Sequence, residues 1–154
     1  MQWILWLHSL IRWFILIFLV INIVRSMVEA DASYTNDDIK WNLRLLIVSH
    51  LTLLLGFIQY FFGTKGFIYF SDNSFSTIMK DHVMRFWAVE HITGMIIAVA
   101  IITISRGVTK KSDMPDSKKH KRQLLLYSLA LVIILASIPW PFRIADTPWF
   151  RGLY

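Results

Sequence analysis

The feature that most constrains the fold of this 154-residue chain is a set of four apolar runs, each long enough to cross a bilayer. A transmembrane helix needs roughly 20 mainly apolar residues in succession. The runs occupy residues 3–24, 43–62, 86–105 and 123–142. Because they are continuous rather than alternating, and because helices satisfy their own backbone groups in lipid, they predict helices. We therefore expect an all-α fold, a four-helix transmembrane bundle that runs up-down-up-down in a single domain over residues 1–154.

The composition supports a lipid environment. Hydrophobic residues make up 56% of the chain, with 7 Trp and 11 Phe, which is too apolar for a soluble domain with one small core. The first run contains His8 and Arg12 and has neither a basic leader nor a small-residue cleavage site, so we expect it to stay in the mature protein. The chain has no cysteine, which excludes disulfides, thiolate metal ligands and c-type haem attachment.

The distribution of lysine and arginine predicts the orientation. The segment 106–122, "RGVTKKSDMPDSKKHKR", holds seven of the sixteen basic residues and should be a cytoplasmic loop. With the first connection also inside, ten basic residues lie inside and five outside, and both termini lie outside. We interpret the basic loop as a topogenic signal that contacts anionic headgroups rather than as a nucleic-acid site.

The connections carry helix start and stop signals. Thr35 or Asn36 should cap a second helix that begins about two turns before lipid, and Asp116 or Ser117 should cap the fourth. Pro139 and the proline two residues later should end the fourth helix, because proline cannot continue the hydrogen-bond ladder.

Ionisable residues inside the predicted spans are the strongest indication of function. His8 and His91 each lie five residues from the outer end of a span, so both should be about 7–8 Å deep. Arg12 is one turn further along the same helix face as His8, and Glu90 lies near its depth. Because a lone charge at this depth costs about 2.5–3.5 kcal/mol, we predict that Arg12 and Glu90 form an ion pair. Such a pair either belongs to the functional site or only fixes the packing of the first helix against the third.

Two histidines at one level on different helices suit the axial positions of a haem iron. We therefore predict His8 and His91 as iron ligands, with room for the ring near Gly94 and Gly56. The alternative is that these histidines only form hydrogen bonds between helices. His50 lies about 10 Å from the opposite face and has three alternative roles: a quinone hydrogen bond, a proton step or packing. The remaining histidines, His82 and His120, should be surface residues.

Several stretches of the chain resemble a known family. The segments "LHSLIRW", "SHLTLLLGFIQYF", "RFWAVEHITGMIIAVAIITISR", "KKHKR" and "IPWPFR" are similar to short four-helix bacterial inner-membrane proteins labelled cytochrome B-like. The resemblance extends over nearly the whole chain, and its most specific parts are "RF-x-x-x-EH" and "IPWPFR". It implies an inner-membrane location and one haem b, and it gives weight to five residues: His8, Arg12, His50, Glu90 and His91.

Three functions remain open from the sequence. The first is an electron-transfer subunit with one haem b near the outer face, held by His8 and His91, with Arg12 beside a propionate and membrane quinone as redox partner. The second is a non-catalytic accessory or assembly subunit of a larger inner-membrane complex, without haem. The third is a membrane enzyme or transporter in which Glu90 and His91 relay protons. The chain carries no phosphate-binding loop, nucleophile elbow, metalloprotease motif or inverted repeat, which disfavours a self-sufficient enzyme or transporter.

Overall fold

The computed structural model describes residues 2–110, 113–145 and 147–149, which form helices and connections with no strand among them. The elements in chain order are α1 (Gln2–Val28), α2 (Asn36–Phe62), α3 (Ile68–Asp72), α4 (Phe75–Lys80), α5 (His82–Arg85), a π-helical turn (Phe86–Glu90), α6 (His91–Thr109) and α7 (Asp116–Ser137). Four helical segments are long and apolar enough to cross a membrane: α1, α2, the continuous stretch His82–Thr109, and α7. The predicted four-helix bundle is confirmed.

The four long helices form a square in cross-section. Helix α1 packs against α2 and α7, and α6 packs against the same two neighbours, so α1 and α6 stand diagonally opposite. The centre of the bundle is filled by Leu19, Leu45, Ile102 and Tyr127, all fully buried. Only 22% to 33% of the most apolar window of each span is buried within the protein. The outward faces are therefore apolar as well, as expected of helices solvated by lipid.

The helix ends agree with the sequence signals in part. The backbone N–H and the hydroxyl of Thr35 both donate to Asp38 Oδ2, at 2.7 and 2.8 Å, which fixes the predicted early start of α2. Pro115, not Asp116 or Ser117, occupies the capping position of α7. That helix ends at Ser137, short of the predicted residue 142, because Ile138 precedes a proline and is extended. The basic segment 106–122 is mostly helical, since α6 continues to Thr109 and α7 begins at Asp116.

One end of the bundle, which we call the basic end, contains the α1–α2 and α6–α7 connections and a buried polar network. Asn42 donates to Gln123 Oε1 at 3.0 Å, and Tyr34 donates to the same oxygen at 2.8 Å. Tyr127 donates to the side-chain oxygen of Asn42. Burial raises the pKa of Tyr34, so its hydroxyl stays protonated and available as a donor. The network ties the α1–α2 connection to α2 and α7.

Candidate functional site

A cavity of about 360 Å³ lies at the other end of the bundle, which we call the histidine end, between α1, α2 and the start of α6. This volume falls within the range of about 300–1,000 Å³ that is typical of small-molecule sites. Its lining is largely apolar and includes Trp87 and Met95. Its polar lining residues include His8, Arg12, Lys65 and His91.

The structure brings His8 and His91 together inside this cavity. They project from the diagonal helices α1 and α6, and their ring centroids are 6.5 Å apart with the ring planes at 72°. This contact places the two residues at one level of the bundle. Two imidazoles from diagonal helices therefore meet across the bundle axis.

His91 is held by the end of a neighbouring helix. Its Nδ1 atom lies 2.7 Å from the backbone oxygen of Ser137, the last residue of α7. The final carbonyls of a helix have no intrahelical partner, so this oxygen is a natural acceptor for an Nδ1–H donor. Donation from Nδ1 leaves Nε2 with its lone pair, which is the tautomer that metal-binding histidines commonly use. The bond both orients the ring and prepares it as a ligand.

A π-helical turn sets the position of His91. The turn covers Phe86–Glu90, and the backbone N–H of His91 bonds to the carbonyl of Phe86, five residues earlier. The rings of Phe86 and Trp87 pack against the imidazole, with centroids 5.9 and 5.7 Å away. Single π turns inside α-helices frequently occur at functional sites. The sequence analysis missed this turn, because the residue pattern of a π turn is that of an ordinary helix.

The surroundings of His8 accommodate its imidazole ring, but several buried polar atoms near it have no hydrogen-bond partner among the described residues. The imidazole of His8 packs against α2 at Gly56, where a Cβ atom would lie 3.4 Å from His8 Cε1, at the near limit of ordinary contact. Within the described residues, three buried cavity-lining atoms lack a hydrogen-bond partner: His8 Nδ1, Arg12 Nε and Trp87 Nε1. A buried polar group without a partner costs about 1–3 kcal/mol. Their clustering indicates that the cavity suits an occupant that has polar groups.

The predicted ion pair between Arg12 and Glu90 is wrong. Glu90 instead accepts from Arg85 Nε at 2.7 Å and from Arg143 Nη2 at 3.2 Å. Arg12 Nη2 donates to the backbone oxygen of Trp149 at 2.7 Å. The cause is the segment after α7, which turns back over the histidine end and supplies both Arg143 and the Trp149 carbonyl. Arg12 still lines the cavity, one helical turn from His8.

Gly94 and His50 do not line the cavity, so their predicted roles in cofactor binding are corrected. Gly94 faces α7, where a Cβ atom would lie 2.9 Å from Ser137 Cβ, and its small size serves helix packing. His50 is exposed on α2, and its Nδ1 atom lies 2.9 Å from the Leu46 carbonyl oxygen of its own helix.

The two histidines predicted to lie on the surface differ in their burial. His82 is exposed, as predicted, whereas His120 is only 1% exposed and packs against the ring of Tyr34. Burial of His120 follows from the α1–α2 connection, which covers the start of α7 and could not be placed from the sequence.

Fold and site together define a class: a bundle of four helices long and apolar enough to span a membrane, with two imidazoles facing one cavity. Comparison of the chain with protein-family models, curated proteins and solved structures gives no match.

Proposed function

We propose that this protein is a small integral membrane cytochrome b-like subunit that binds one haem b between His8 and His91. In this role it transfers electrons within a respiratory or quinone-linked membrane complex. The observation that carries the proposal is the meeting of two imidazoles from diagonal helices inside a cavity of ligand size.

The separation of the rings fits a shared metal. Metal–imidazole bonds are about 2.0–2.1 Å long, so two imidazoles that held one metal would lie within a few ångströms of each other. The rings of His8 and His91 have centroids 6.5 Å apart and would be close enough to hold a haem iron between them. The bond from His91 to the Ser137 carbonyl supplies the outer-shell contact that orients a ligating histidine.

The charges at the cavity fit a cofactor with carboxylate groups. Arg12 lines the cavity beside His8, and Lys65 lines it near Trp87, with Nζ 4.9 Å from that ring. Arginine favours planar, bidentate bonds to carboxylates, and a carboxylate here would also meet the unsatisfied Arg12 Nε atom. Haem b held by two imidazoles supplies a one-electron redox centre. The protein contributes ligand orientation, a counter-charge and an apolar wall that excludes water.

The proposed location is the bacterial inner membrane, with both termini on the outer side. Support comes from the sequence, which puts ten basic residues in the connections predicted to be inside and five in those predicted to be outside. The histidine end then faces outward, which places the haem near the outer face. Quinone dissolved in the bilayer and neighbouring membrane subunits are the redox partners that such a site would meet.

An accessory subunit without haem is the second candidate. Glu90 is held by two arginines, and the Asn42–Gln123 network joins helices at the basic end, so both features fix helix packing without a cofactor. The two candidates differ in one property, which is the presence of a pigment.

The test is optical spectroscopy of the purified protein from cells supplied with haem precursor. The proposal predicts a red sample with about one haem b per chain, a Soret band, and an alpha band that sharpens on reduction with dithionite. A colourless preparation from such cells would remove the haem proposal and favour the accessory subunit.

A further inference from the structure

We propose that the basic end holds a divalent transition-metal ion, such as Zn²⁺, between Glu29, Asp38 and His120. Ligand-type atoms of these three side chains all lie within 4.8 Å of one another. Glu29 directly follows α1, Asp38 lies in the first turn of α2 and His120 lies near the start of α7, so one ion would connect three helices at their ends. This site is at the opposite end of the bundle from the His8–His91 cavity and does not depend on the proposed haem.

The buried side chain of His120 gives an independent indication that a ligand binds here. The residue is 1% exposed, and neither of its ring nitrogens has a hydrogen-bond partner among the described residues. Most buried polar atoms in proteins have a partner, and leaving one without costs about 1–3 kcal/mol. One ring nitrogen lies within 4.8 Å of both carboxylates, where a metal ion would give it a partner.

The donor set suits a first-row divalent cation. One imidazole nitrogen and two carboxylate oxygens bind Zn²⁺ at about 2.0–2.2 Å, with water in the remaining position. Ligand atoms around such an ion are about 3.4 Å apart. The ligand atoms of the three side chains lie within 4.8 Å of one another, so binding an ion requires them to move together by up to about 1.4 Å. Imidazole disfavours Mg²⁺ and Ca²⁺, which take oxygen ligands.

Arg25 holds the two carboxylates in place. Its Nη2 atom lies 2.8 Å from Asp38 Oδ1 and 3.0 Å from Glu29 Oε2. Glu29 accepts one bond from Arg25 and keeps lone pairs for a metal. Asp38 accepts from Arg25 Nε and Nη2 at Oδ1 and from Thr35 at Oδ2, so an ion would replace an Arg25 contact at Oδ1. The Arg25 side chain is 26% exposed, so its guanidinium can turn toward solvent when an ion binds a carboxylate in its place. The arginine therefore preorganises the carboxylates and compensates their charge when no metal is bound.

The experiment uses the full chain in detergent, stripped with a chelator, exposed to micromolar Zn²⁺ and desalted before its metal content is measured. We expect one Zn²⁺ per chain, with no competition from excess Mg²⁺, and X-ray absorption that shows nitrogen and oxygen ligands. His120→Ala should weaken binding at least tenfold. The matched control is His82→Ala, because His82 is exposed and lies outside the cluster, and it should bind as the wild type does.

Two further variants keep the test decisive. Glu29→Gln changes a side chain that is 31% exposed, so it should fold even if His120→Ala does not, and it should also weaken binding at least tenfold. His91→Ala should retain the ion, which separates this site from the paired histidines. The proposal is overturned if the wild type retains no Zn²⁺, if Glu29→Gln binds as tightly as the wild type, or if His91→Ala alone loses the ion.

Discussion

The Nδ1 atom of His91 lies 2.7 Å from the carbonyl oxygen of Ser137, so the first residue of α6 is bonded to the last residue of α7. One turn further, Gly94 lets the two helices approach until its α-carbon faces the Ser137 side chain. The orientation of the candidate ligand and a close contact between the two helices therefore depend on the same short segment.

Enlarging Gly94 should separate the two helices. A Cβ atom there would lie 2.9 Å from Ser137 Cβ and closer still to Ser137 Oγ, so α7 must shift. We expect Gly94→Ala to lower the free energy of unfolding by about 1–3 kcal/mol, as overpacking does, in a denaturant titration in detergent. Gly107→Ala is the matched control, because a Cβ atom at Gly107 meets nothing within 4 Å and alanine favours the helix. Equal effects of the two substitutions would contradict this account of the contact.

Glu90 should be energetically coupled to Arg143 and not to Arg12. Residues in contact show coupling free energies of about 0.5–3 kcal/mol in a double-mutant cycle, whereas separate residues add within about 0.3–0.5 kcal/mol. The cycle Glu90→Gln with Arg143→Gln should therefore be non-additive, and the cycle with Arg12→Gln should be additive. An additive cycle with Arg143 and a non-additive cycle with Arg12 would instead support the ion pair between Arg12 and Glu90.

The sequence could predict the depth of these residues but not their direction around the helix. Spacing along the spans placed His8 beside His91 and put Arg12 near Glu90 in depth, and only the first pair meets. The π-helical turn rotates the chain just before His91 and lies between Arg85 and its partner Glu90. The other partner, Arg143, comes from the segment after α7, so that contact depends on tertiary structure. The spans themselves were predictable because the length of an apolar run directly reflects bilayer thickness.

Single-cysteine labelling should establish the orientation of the bundle. The chain has no cysteine, so each introduced thiol is the only one present. We expect Ser76→Cys, on α4, to react with an impermeant maleimide in intact spheroplasts. Lys118→Cys, near the start of α7, should react only after the membrane is permeabilised. If Lys118→Cys reacts in intact spheroplasts and Ser76→Cys reacts only after permeabilisation, the bundle has the opposite orientation to the one proposed.

The Tyr127 hydroxyl should contribute measurably to stability. It is fully buried and donates to Asn42, so Tyr127→Phe leaves a buried acceptor with one partner fewer. We expect a loss of about 1–3 kcal/mol in the free energy of unfolding. Tyr69→Phe, on α3 and outside this network, is the control and should have little effect. No difference between the two variants would mean that the Tyr127 bond is not stabilising.

Burial at the basic end was predictable only in part. The pattern of apolar residues cannot show that the α1–α2 connection covers His120. That contact is made by Tyr34, which is far from His120 in the sequence. The local signal at Thr35 and Asp38 was readable, since a helix cap involves neighbours in sequence. Local chemistry thus predicted the helix start, and tertiary packing determined which polar residues are buried.

The most direct test of the central claim is the low-temperature electron paramagnetic resonance spectrum of the oxidised protein and its histidine variants. The account predicts a low-spin, six-coordinate haem in the wild type and in His50→Ala, which alters an exposed histidine outside the cavity. The low-spin signal should disappear in His91→Ala, and in His8→Ala it should disappear or give way to a five-coordinate species. An unchanged low-spin signal in His91→Ala, or its loss in His50→Ala instead, would contradict the assignment of the ligands.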